Sequence, residues 1–413
     1  MSLENEPSFF VGIDWAATEH AVCVLDATGK KITAFTIAHT AAGFAALTDR
    51  LGRLGDTGRV AVAIERPDGR LVDALLTAGH PVMPVTPNAI KAWRESEVLS
   101  GAKSDRGDAA VIADYLRVRH HRLRPATPYT GSTKALRAIV RTRTDLVHAR
   151  VAATNQLAAL LDTHWPGAGM IFARPTSGIA LAFLARYPTA ASAAGLTEKR
   201  LDAFLRRQRH TGRKPAEVLL TRLRTAPAGV TDPDLTEGVR DAVLAQVAVL
   251  TTLNTAIKAL DRSIGEKMDT HPDGAVFRSL PRAGTVNAAQ VLAEWGDARD
   301  AYTHPDAVAA LAGITPVTKA SGKQRAVTFR WACNKRLRQA LTTFADNSRR
   351  ASPRAHAIYD RARTSGKDHP HAIRILARAW TRVIWRCRQN NTPYDPELHR
   401  GTHHTSTATP AAA

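Results

Sequence analysis

Cysteine and long apolar runs are the two features that this chain of 413 residues mostly lacks. The three cysteines, Cys23, Cys333 and Cys387, are widely spaced, which excludes a disulfide framework and the paired spacing of a zinc site. No apolar run reaches the ~18 residues that a membrane-spanning helix needs, and the N-terminus lacks the basic and then apolar pattern of a signal peptide. These absences favour a soluble protein of the reducing cytoplasm, with two or three domains.

Acidic residues are scarce relative to basic ones. The chain has 57 Lys and Arg against 37 Asp and Glu, which gives a formal net charge of +20. Residues 319–388 contain 18 Lys or Arg, three Asp and no Glu. This imbalance predicts a polyanionic partner and, if that partner is DNA, association with the nucleoid. A membrane surface is disfavoured because Trp380 and Trp385 do not belong to a strongly apolar helix face.

Four arginines in the last helical pattern follow one another at intervals of four residues. They are Arg374, Arg378, Arg382 and Arg386. This spacing places them in one stripe along a helix. Like charges at this spacing repel one another, so the helix itself gains no stability from them. The stripe therefore predicts contacts with nucleic-acid phosphates, and the alternative is a solvated basic face.

Residues 8–125 alternate strand and helix patterns in the order βββαβαβα. Short apolar segments such as FFVGID and RVAVAIE read as strands, whereas GRLVDALLTAGH and DRGDAAVIADYLRVR read as helices. This order predicts an α/β domain in which three meandering strands precede parallel crossovers.

The rest of the chain is predicted to be mainly helical. Residues 126–273 form a helical and coiled-coil region with long helices at 132–161 and 236–268, because apolar residues recur there at helical or heptad spacing. These helices pair either with each other or across a dimer. Residues 274–397 form a basic, mainly α-helical C-terminal domain, and the low-complexity tail 398–413 is predicted to be disordered.

Four carboxylates lie at the ends of predicted elements of the α/β domain. Asp14 ends the first strand, Glu65 ends the fourth strand, and Asp105 and Asp108 open the last helix. Each has an ordinary structural interpretation, since turns and first helical turns favour acids. If all four converge on one sheet edge, their oxygens suit Mg²⁺ or Mn²⁺. Two such ions can activate an attacking oxygen and stabilise a leaving one.

The motifs VGIDWA, AIERPDGRL and GAKSDRGDAAVIADYLR resemble the RuvC-like (RNase H-like) DEDD domain of the insertion-sequence one-ten family of transposases. The stretch with SLPRAG, GITPVTKASGKQ and NKRLRQAL resembles the second domain of the same family. The resemblance implies that Asp14, Glu65, Asp105 and Asp108 are the DEDD tetrad and metal ligands. It further implies that Ser321 is the catalytic serine.

Members of this family are recombinases that cut and join DNA through a covalent serine–DNA link. A structured RNA, which pairs with donor and target DNA, guides them. The resemblance therefore implies DNA and guide RNA as partners, and we also expect a homo-oligomer, either a dimer or a tetramer. The basic side chains beside the candidate catalytic residues are predicted to contact nucleic acid, and they are Lys103, Arg106, Lys319, Lys323 and Arg325.

Ser321 is a weaker candidate when the residues alone are considered. A Ser-Gly pair in a basic segment is most often a turn, and the absence of a GxSxG motif disfavours acyl-transfer hydrolysis. A serine that attacks a phosphodiester needs its proton removed and the phosphate neutralised, and a metal ion can do both. Two departures from the family pattern are Arg282 and Cys333, which replace common glycines. Arg282 makes a close backbone approach to DNA doubtful, although its side chain could contact a phosphate.

Two other classes of protein remain open. A hydrolytic nuclease of RuvC type would use the same four acids with water as the nucleophile, and Ser321 would be dispensable. A nucleic-acid-binding protein without catalytic activity would use the acids as helix caps and turn formers, and it would not depend on divalent metal.

Overall fold

The computed structural model describes residues 6–66, 68–97, 104–212, 214–321 and 324–398. The chain divides into two compact units. The first comprises Met1–Thr130 and Asp297–Ala307, and the second comprises Gly131–Gly296 and Val308–Ala413. The predicted boundaries at 125 and 273 stay predictions, and residues 399–413 of the predicted tail lie outside the described residues.

The first unit contains a mixed five-stranded sheet. Its strands are β1 (Phe9–Asp14), β2 (Glu19–Asp26), β3 (Lys31–Ala38), β4 (Val60–Ile64) and β5 (Val82–Pro84). They lie in the order β3-β2-β1-β4-β5, with β1 antiparallel to β2 and parallel to β4. The helices are α1 (Ala41–Gly52), α2 (Arg70–Thr77), α3 (Pro87–Glu97) and α4 (Asp105–Arg119). The predicted α/β architecture of this part is confirmed.

Side chains of β1 pack alternately on the two faces of the sheet. Val11 and Ile13 belong to a core with residues of α1 and α2, whereas Phe10 packs with Ile112 and Leu116 of α4. Period-two alternation sends successive side chains to opposite faces. The central strand β1 is therefore buried between two helical layers, whereas the edge strand β3 is largely exposed.

Gly12 allows α4 to lie directly on β1. A Cβ atom built at Gly12 would be 2.1 Å from the Ala109 carbonyl oxygen and 2.3 Å from the Ala113 backbone nitrogen. Both obstacles are backbone atoms of α4, which a rotamer change cannot move. This close approach fixes the position of α4 along the strand.

The segment Asp297–Ala307 returns to the first unit from far along the chain. The backbone N–H of Thr130 donates to Asp297 Oδ2 at 3.1 Å, and the Thr130 hydroxyl donates to the same carboxylate. Arg124 Nη2 donates to the Thr303 hydroxyl at 3.4 Å. The first unit is thus closed by residues that follow most of the second unit in sequence.

The second unit is mainly helical. Its first part contains α5 (Gly131–His164), α6 (Pro166–Ile171), α7 (Gly178–Arg186), α8 (Ala190–Ala193), α9 (Glu198–Arg207), α10 (Ala216–Thr225) and α11 (Pro233–Thr270). There follow α12 (Gly274–Arg278), α13 (Gly284–Trp295), β6 (Val317–Ser321), β7 (Gln324–Thr328), α15 (Lys335–Ser348), α16 (Pro353–Thr364) and α17 (His369–Asn390). Helix α14 (Pro305–Leu311) begins in the last segment of the first unit and ends in the second unit. The part from α12 onward is mainly helical, as predicted for residues 274–397, and it also contains the two-stranded sheet of β6 and β7.

The two long helices α5 and α11 pack against each other within the chain. Arg143 Nε lies 2.6 Å from Asp261 Oδ1, and Arg150 Nη1 donates to Asn254 Oδ1 at 3.4 Å, which shows an antiparallel arrangement. The predicted heptad positions of α11 are buried at Val239, Val243, Leu250, Ile257 and Ile264. On α5, by contrast, Val151 is 52% exposed, so it does not belong to the seam.

By length and composition alone, α11 could cross a membrane. The core helix of a soluble protein satisfies the same criterion, and side chains of α11 such as Val243 and Leu250 lie in a core shared with α5. Packing against α5, rather than contact with lipid, accounts for the apolar face of α11.

The packing at Gly12 predicts that Gly12→Ala destabilises the protein by about 2–4 kcal/mol, because the new methyl group overlaps the α4 backbone. Gly52→Ala is the matched control, since nothing lies within 4 Å of a Cβ at Gly52 and alanine favours the helix by about 0.5 kcal/mol or more. Urea denaturation of both variants measures the difference. Equal stabilities would show that α4 does not depend on this close approach.

Candidate active site

Two of the predicted catalytic acids lie at the ends of adjacent parallel strands. β1 and β4 pair with Ile13 opposite Ile64, so Asp14 and Glu65 are the next residues along each strand. Both are half-buried. Neighbouring strands lie about 4.8 Å apart, and the sheet therefore brings these two positions to one edge.

The N-terminus of α4 points toward the same edge. Because Phe10 packs on Leu116 and Gly12 approaches Ala109, α4 runs opposite to β1 and begins near the end of that strand. Ser104 caps the helix, and its hydroxyl accepts the backbone N–H of Gly107 at 3.2 Å. The close approach at Gly12 is thus the contact that places the first turn of α4.

The two acids of this first turn have different surroundings. Asp105 is exposed, as is Arg106, whereas Asp108 is 8% exposed. Arg94 of α3 forms an ion pair with Asp108, with 2.5 Å between Nη2 and Oδ1. Arg94 could not be recognised as a partner of Asp108 from local sequence, because it lies in a helix of mostly polar residues. Its guanidinium compensates a carboxylate that burial would otherwise destabilise.

The donor chemistry of this edge suits a hard divalent cation, since carboxylate oxygens are preferred ligands of Mg²⁺. Within the described ranges, however, no three His, Cys, Asp or Glu side chains are grouped as a metal site. Asp108 is held by Arg94 instead, and a cation would have to compete with that guanidinium for the carboxylate. The assignment of Asp14, Glu65, Asp105 and Asp108 as ligands stays a prediction.

An aromatic and histidine cluster supports the turn after Asp14. Arg66 lies over the Trp15 ring, 4.1 Å from its centroid, so the residues that follow the two acids contact each other. The backbone N–H of Ala16 donates to Nδ1 of buried His20 at 3.3 Å. His20 Nε2 lies 2.8 Å from Nδ1 of His39. Burial first, and then His39, lower the pKa of His20, which keeps it a neutral acceptor.

Ser321 lies in a β-hairpin of the second unit. β6 and β7 are antiparallel, with Val317 opposite Thr328 and Ser321 opposite Gln324. Ser321 is therefore the last residue of its strand, at the turn end of the hairpin, and it is exposed. Of the basic residues predicted beside the two sites, Lys319 and Arg325 lie in the hairpin strands, while Lys103 and Lys323 lie outside the described residues.

Arg338 holds the opposite end of this hairpin, which we call the hairpin foot (residues 328–331). Arg338 Nε donates to the Ala312 carbonyl oxygen at 3.2 Å, and Nη2 donates to the Arg330 carbonyl oxygen and to Cys333 Sγ at 2.6 Å. The guanidinium also lies 4.4 Å from the centroid of Phe329. Cys333, one of the departures from the family pattern, is thus a partner of the arginine that anchors the foot.

The helix that carries Arg338 is fixed by a buried carboxylate. Glu294, 3% exposed, accepts two hydrogen bonds from Arg141 at 2.7 and 3.0 Å and one from Asn334 at 3.0 Å. Asn334 is also the N-cap of α15. Burial raises the pKa of Glu294, but the hydrogen bonds from Arg141 and Asn334, with the charges of Arg141 and Arg137, outweigh it and lower the pKa overall.

A groove lies between the hairpin foot and α17. Its volume is about 540 Å³, and its lining includes Arg374, Arg378 and Arg382 of the predicted stripe, with Arg330 and His371. The lining contains no Asp or Glu among the described residues. The fourth member of the stripe, Arg386, is exposed on α17 but does not line the groove. The opposite face of α17 is buried and includes Arg388, whereas Arg374, Arg378, Arg382 and Arg386 do not belong to that buried face.

Arg282 occupies a turn with left-handed backbone, at φ +54°. Only glycine adopts this region without a steric penalty, which agrees with the glycine expected there from the family pattern. Arg282 is exposed, so its side chain is accessible while its backbone carries the strain.

Comparison with known proteins defines the class of this protein: it is a transposase, an enzyme that cuts and joins DNA. Residues 11–166 match the IS110-type DEDD transposase domain. Residues 274–360 match a domain described as Transposase IS116/IS110/IS902 family.

Relatives align along nearly the whole chain. The "Mini-circle putative transposase for IS117" of Streptomyces coelicolor is 32% identical over 95% of this chain and 97% of its own length. A 42 kDa protein of insertion element IS900 from Mycobacterium paratuberculosis is 29% identical over 94% of this chain and 97% of its own length. The chain therefore belongs to the IS116/IS110/IS902 family of transposases, which confirms the family assigned from the motifs.

The Glu294 network generates a prediction about stability and pH. Because the pKa of Glu294 is lowered in the folded state, its ionisation stabilises the protein above the ordinary glutamate pKa of about 4.3, and this contribution is lost as pH falls further. Glu294→Gln should cost about 3 kcal/mol at pH 7, since it leaves buried arginine charge uncompensated. The difference from the parent protein should shrink below about pH 4.3.

Chemical denaturation at several pH values measures this difference. Glu237→Gln is the control, because Glu237 forms an exposed pair with Arg240 and such pairs contribute little. A difference between Glu294→Gln and the parent that stays constant down to pH 3 would contradict the assignment.

Proposed function

We propose that this transposase cuts and rejoins DNA through a covalent bond between Ser321 and a DNA phosphate. The observation that carries the proposal is the placement of Ser321: exposed at the turn end of a hairpin whose foot borders a groove lined by arginines. A nucleophile that must reach a phosphodiester needs exposure and cationic surroundings. The chain has both in one unit.

The proposed strand exchange conserves the number of phosphate ester bonds. Ser321 Oγ attacks the phosphorus, a DNA oxygen leaves and takes a proton, and one serine–phosphate ester replaces one phosphodiester. In the reverse step a DNA hydroxyl attacks the same phosphorus, and the serine regains its proton. No external energy source is required, because each step breaks and forms one phosphate ester.

Asp14, Glu65, Asp105 and Asp108 would hold Mg²⁺ or Mn²⁺, which when bound neutralises phosphate charge and lowers the pKa of an attacking oxygen. The mixed sheet, with acids at the ends of β1 and β4, supports a RuvC-like interpretation of this unit. The net charge of +20 supports DNA as the partner, in a cytoplasmic protein associated with the nucleoid. A structured guide RNA and a dimer or tetramer belong to the same proposal and depend on family membership.

The hydrolytic alternative uses the same acids with water as the nucleophile. It leaves free DNA ends and gives Ser321 no role. No feature of the described residues favours it over the serine mechanism, whereas the hairpin and its basic groove favour the serine.

The acids are tested by Asp105→Asn. We expect this variant to lose strand cleavage, because one predicted ligand is gone, and to keep nucleic-acid binding, because no basic contact is removed. Asp49→Asn is the control, since it makes the same change of charge on α1, where Asp49 pairs with exposed Arg53. Cleavage of a labelled element-end DNA is measured with Mg²⁺ and with excess chelator. Full activity of Asp105→Asn, or activity in chelator, would refute the metal assignment.

The serine is tested by Ser321→Ala. Protein, guide RNA and labelled DNA are incubated with Mg²⁺ and denatured, and the gel is examined for DNA that migrates with the polypeptide. We expect Ser321→Ala to lose both this adduct and recombination, while the complex still assembles, because one exposed hydroxyl contributes little to so charged an interface. Ser279→Ala is a control for the loss of a hydroxyl elsewhere in the unit. Free cleaved ends from Ser321→Ala at the normal rate would establish the water mechanism.

A further inference from the structure

Trp331 is the anomaly of the hairpin foot. It is 76% exposed, and its ring meets Phe329 edge to face with 4.9 Å between centroids. A side chain of this size is usually buried well beyond that. The exposed indole contributes little to the core and is accessible to a ligand outside the chain.

The ring beneath Trp331 is held rigidly. Phe329 lies between two guanidinium groups, with Arg338 4.4 Å and Arg374 5.0 Å from its centroid. Arg338 itself donates hydrogen bonds to the carbonyl oxygen of Ala312, before β6, and to that of Arg330, after β7. Trp331 therefore contacts an aromatic ring whose position is fixed before any ligand arrives.

The basic groove begins at the same residues. Phe329 and Arg330 of the hairpin foot line it together with the arginines of α17. An aromatic ring beside a row of cations, without acids in the lining, is the combination with which proteins bind single-stranded nucleic acid: bases stack on the rings and phosphates follow the cations. A duplex offers only its phosphates to such a site, because its base faces are already stacked.

The hairpin sets the spacing between this aromatic site and the serine. Ser321 and Val317 are four residues apart on β6, and Val317 pairs with Thr328 at the foot. At about 3.3 Å per residue the two ends of the hairpin are roughly 13 Å apart. This length is short enough for one DNA strand of a few nucleotides to reach both ends of the hairpin.

We propose that Trp331 stacks on an unpaired base of the DNA strand that Ser321 attacks, while Arg374, Arg378 and Arg382 bind the phosphates of that strand. Phe329 and Arg338 are positioning residues that hold the indole. The inference rests on the proposed serine mechanism for its choice of strand. The binding of unpaired DNA at Trp331 is independent of that mechanism.

The first experiment compares the binding of a single-stranded oligodeoxynucleotide of mixed sequence with that of the same strand annealed to its complement. Trp331→Ala should weaken binding of the single strand roughly 5- to 150-fold, as the loss of one stacked base predicts, and should change duplex binding by less than about 2-fold. Trp331→Phe, which keeps a ring, should restore most of the affinity. The exposure of Trp331 makes both variants safe for folding.

A second experiment separates stacking from charge. Trp331→Ala should leave the salt dependence of binding unchanged, whereas Arg378→Glu should flatten it, since the groove then loses a phosphate contact. Arg386→Glu is the matched control on the same helix, outside the groove, and should change the slope less.

Equal loss of single-strand and duplex binding in Trp331→Ala, or no rescue by Trp331→Phe, would overturn the stacking proposal. If the stacking proposal fails in this way but Ser321→Ala still abolishes a protein–DNA adduct, the serine mechanism stands. If the Trp331 variants behave as expected but the parent protein forms no adduct, only the serine mechanism is overturned.

Discussion

The buried carboxylate of Glu294 is the interaction on which the serine-bearing unit depends. It binds Arg141 of the long helix α5 and Asn334, the cap of α15. The cap fixes where α15 begins, and the first turn of α15 carries Arg338, which binds the hairpin foot. A single desolvated charge thus links the coiled coil to the position of Ser321, and its stability requires that every one of its partners be present.

Much of the architecture could be predicted from periodicity. The strand and helix order of the α/β unit, and the two long helices, follow from alternation and heptad spacing that packing then satisfies. The hairpin of β6 and β7 could not be predicted in the same way, because the segment around Ser321 is short, basic and without apolar alternation.

The candidate site, like the fold, could be predicted only in part from the sequence. The positions of Asp14 and Glu65 at one sheet edge follow from parallel pairing, which local sequence predicts well. Arg94, Arg338 and Trp331 were not recognised, because their roles arise from contacts between elements distant in sequence and their local patterns are those of ordinary surface residues. Arg282 is the reverse case: its replacement of a glycine was visible in the sequence, and the left-handed backbone found there gives that departure a physical meaning.

The return of residues 297–307 to the first unit has a consequence for the order of assembly. Thr130 and Asp297 are joined by hydrogen bonds, yet 166 residues of the second unit are made between them. During synthesis the α/β unit cannot bind its last segment, residues 297–307, until most of the second unit has been made. A fragment that ends at Thr130 would lack this closing segment, so no single cut of the chain yields the complete first unit.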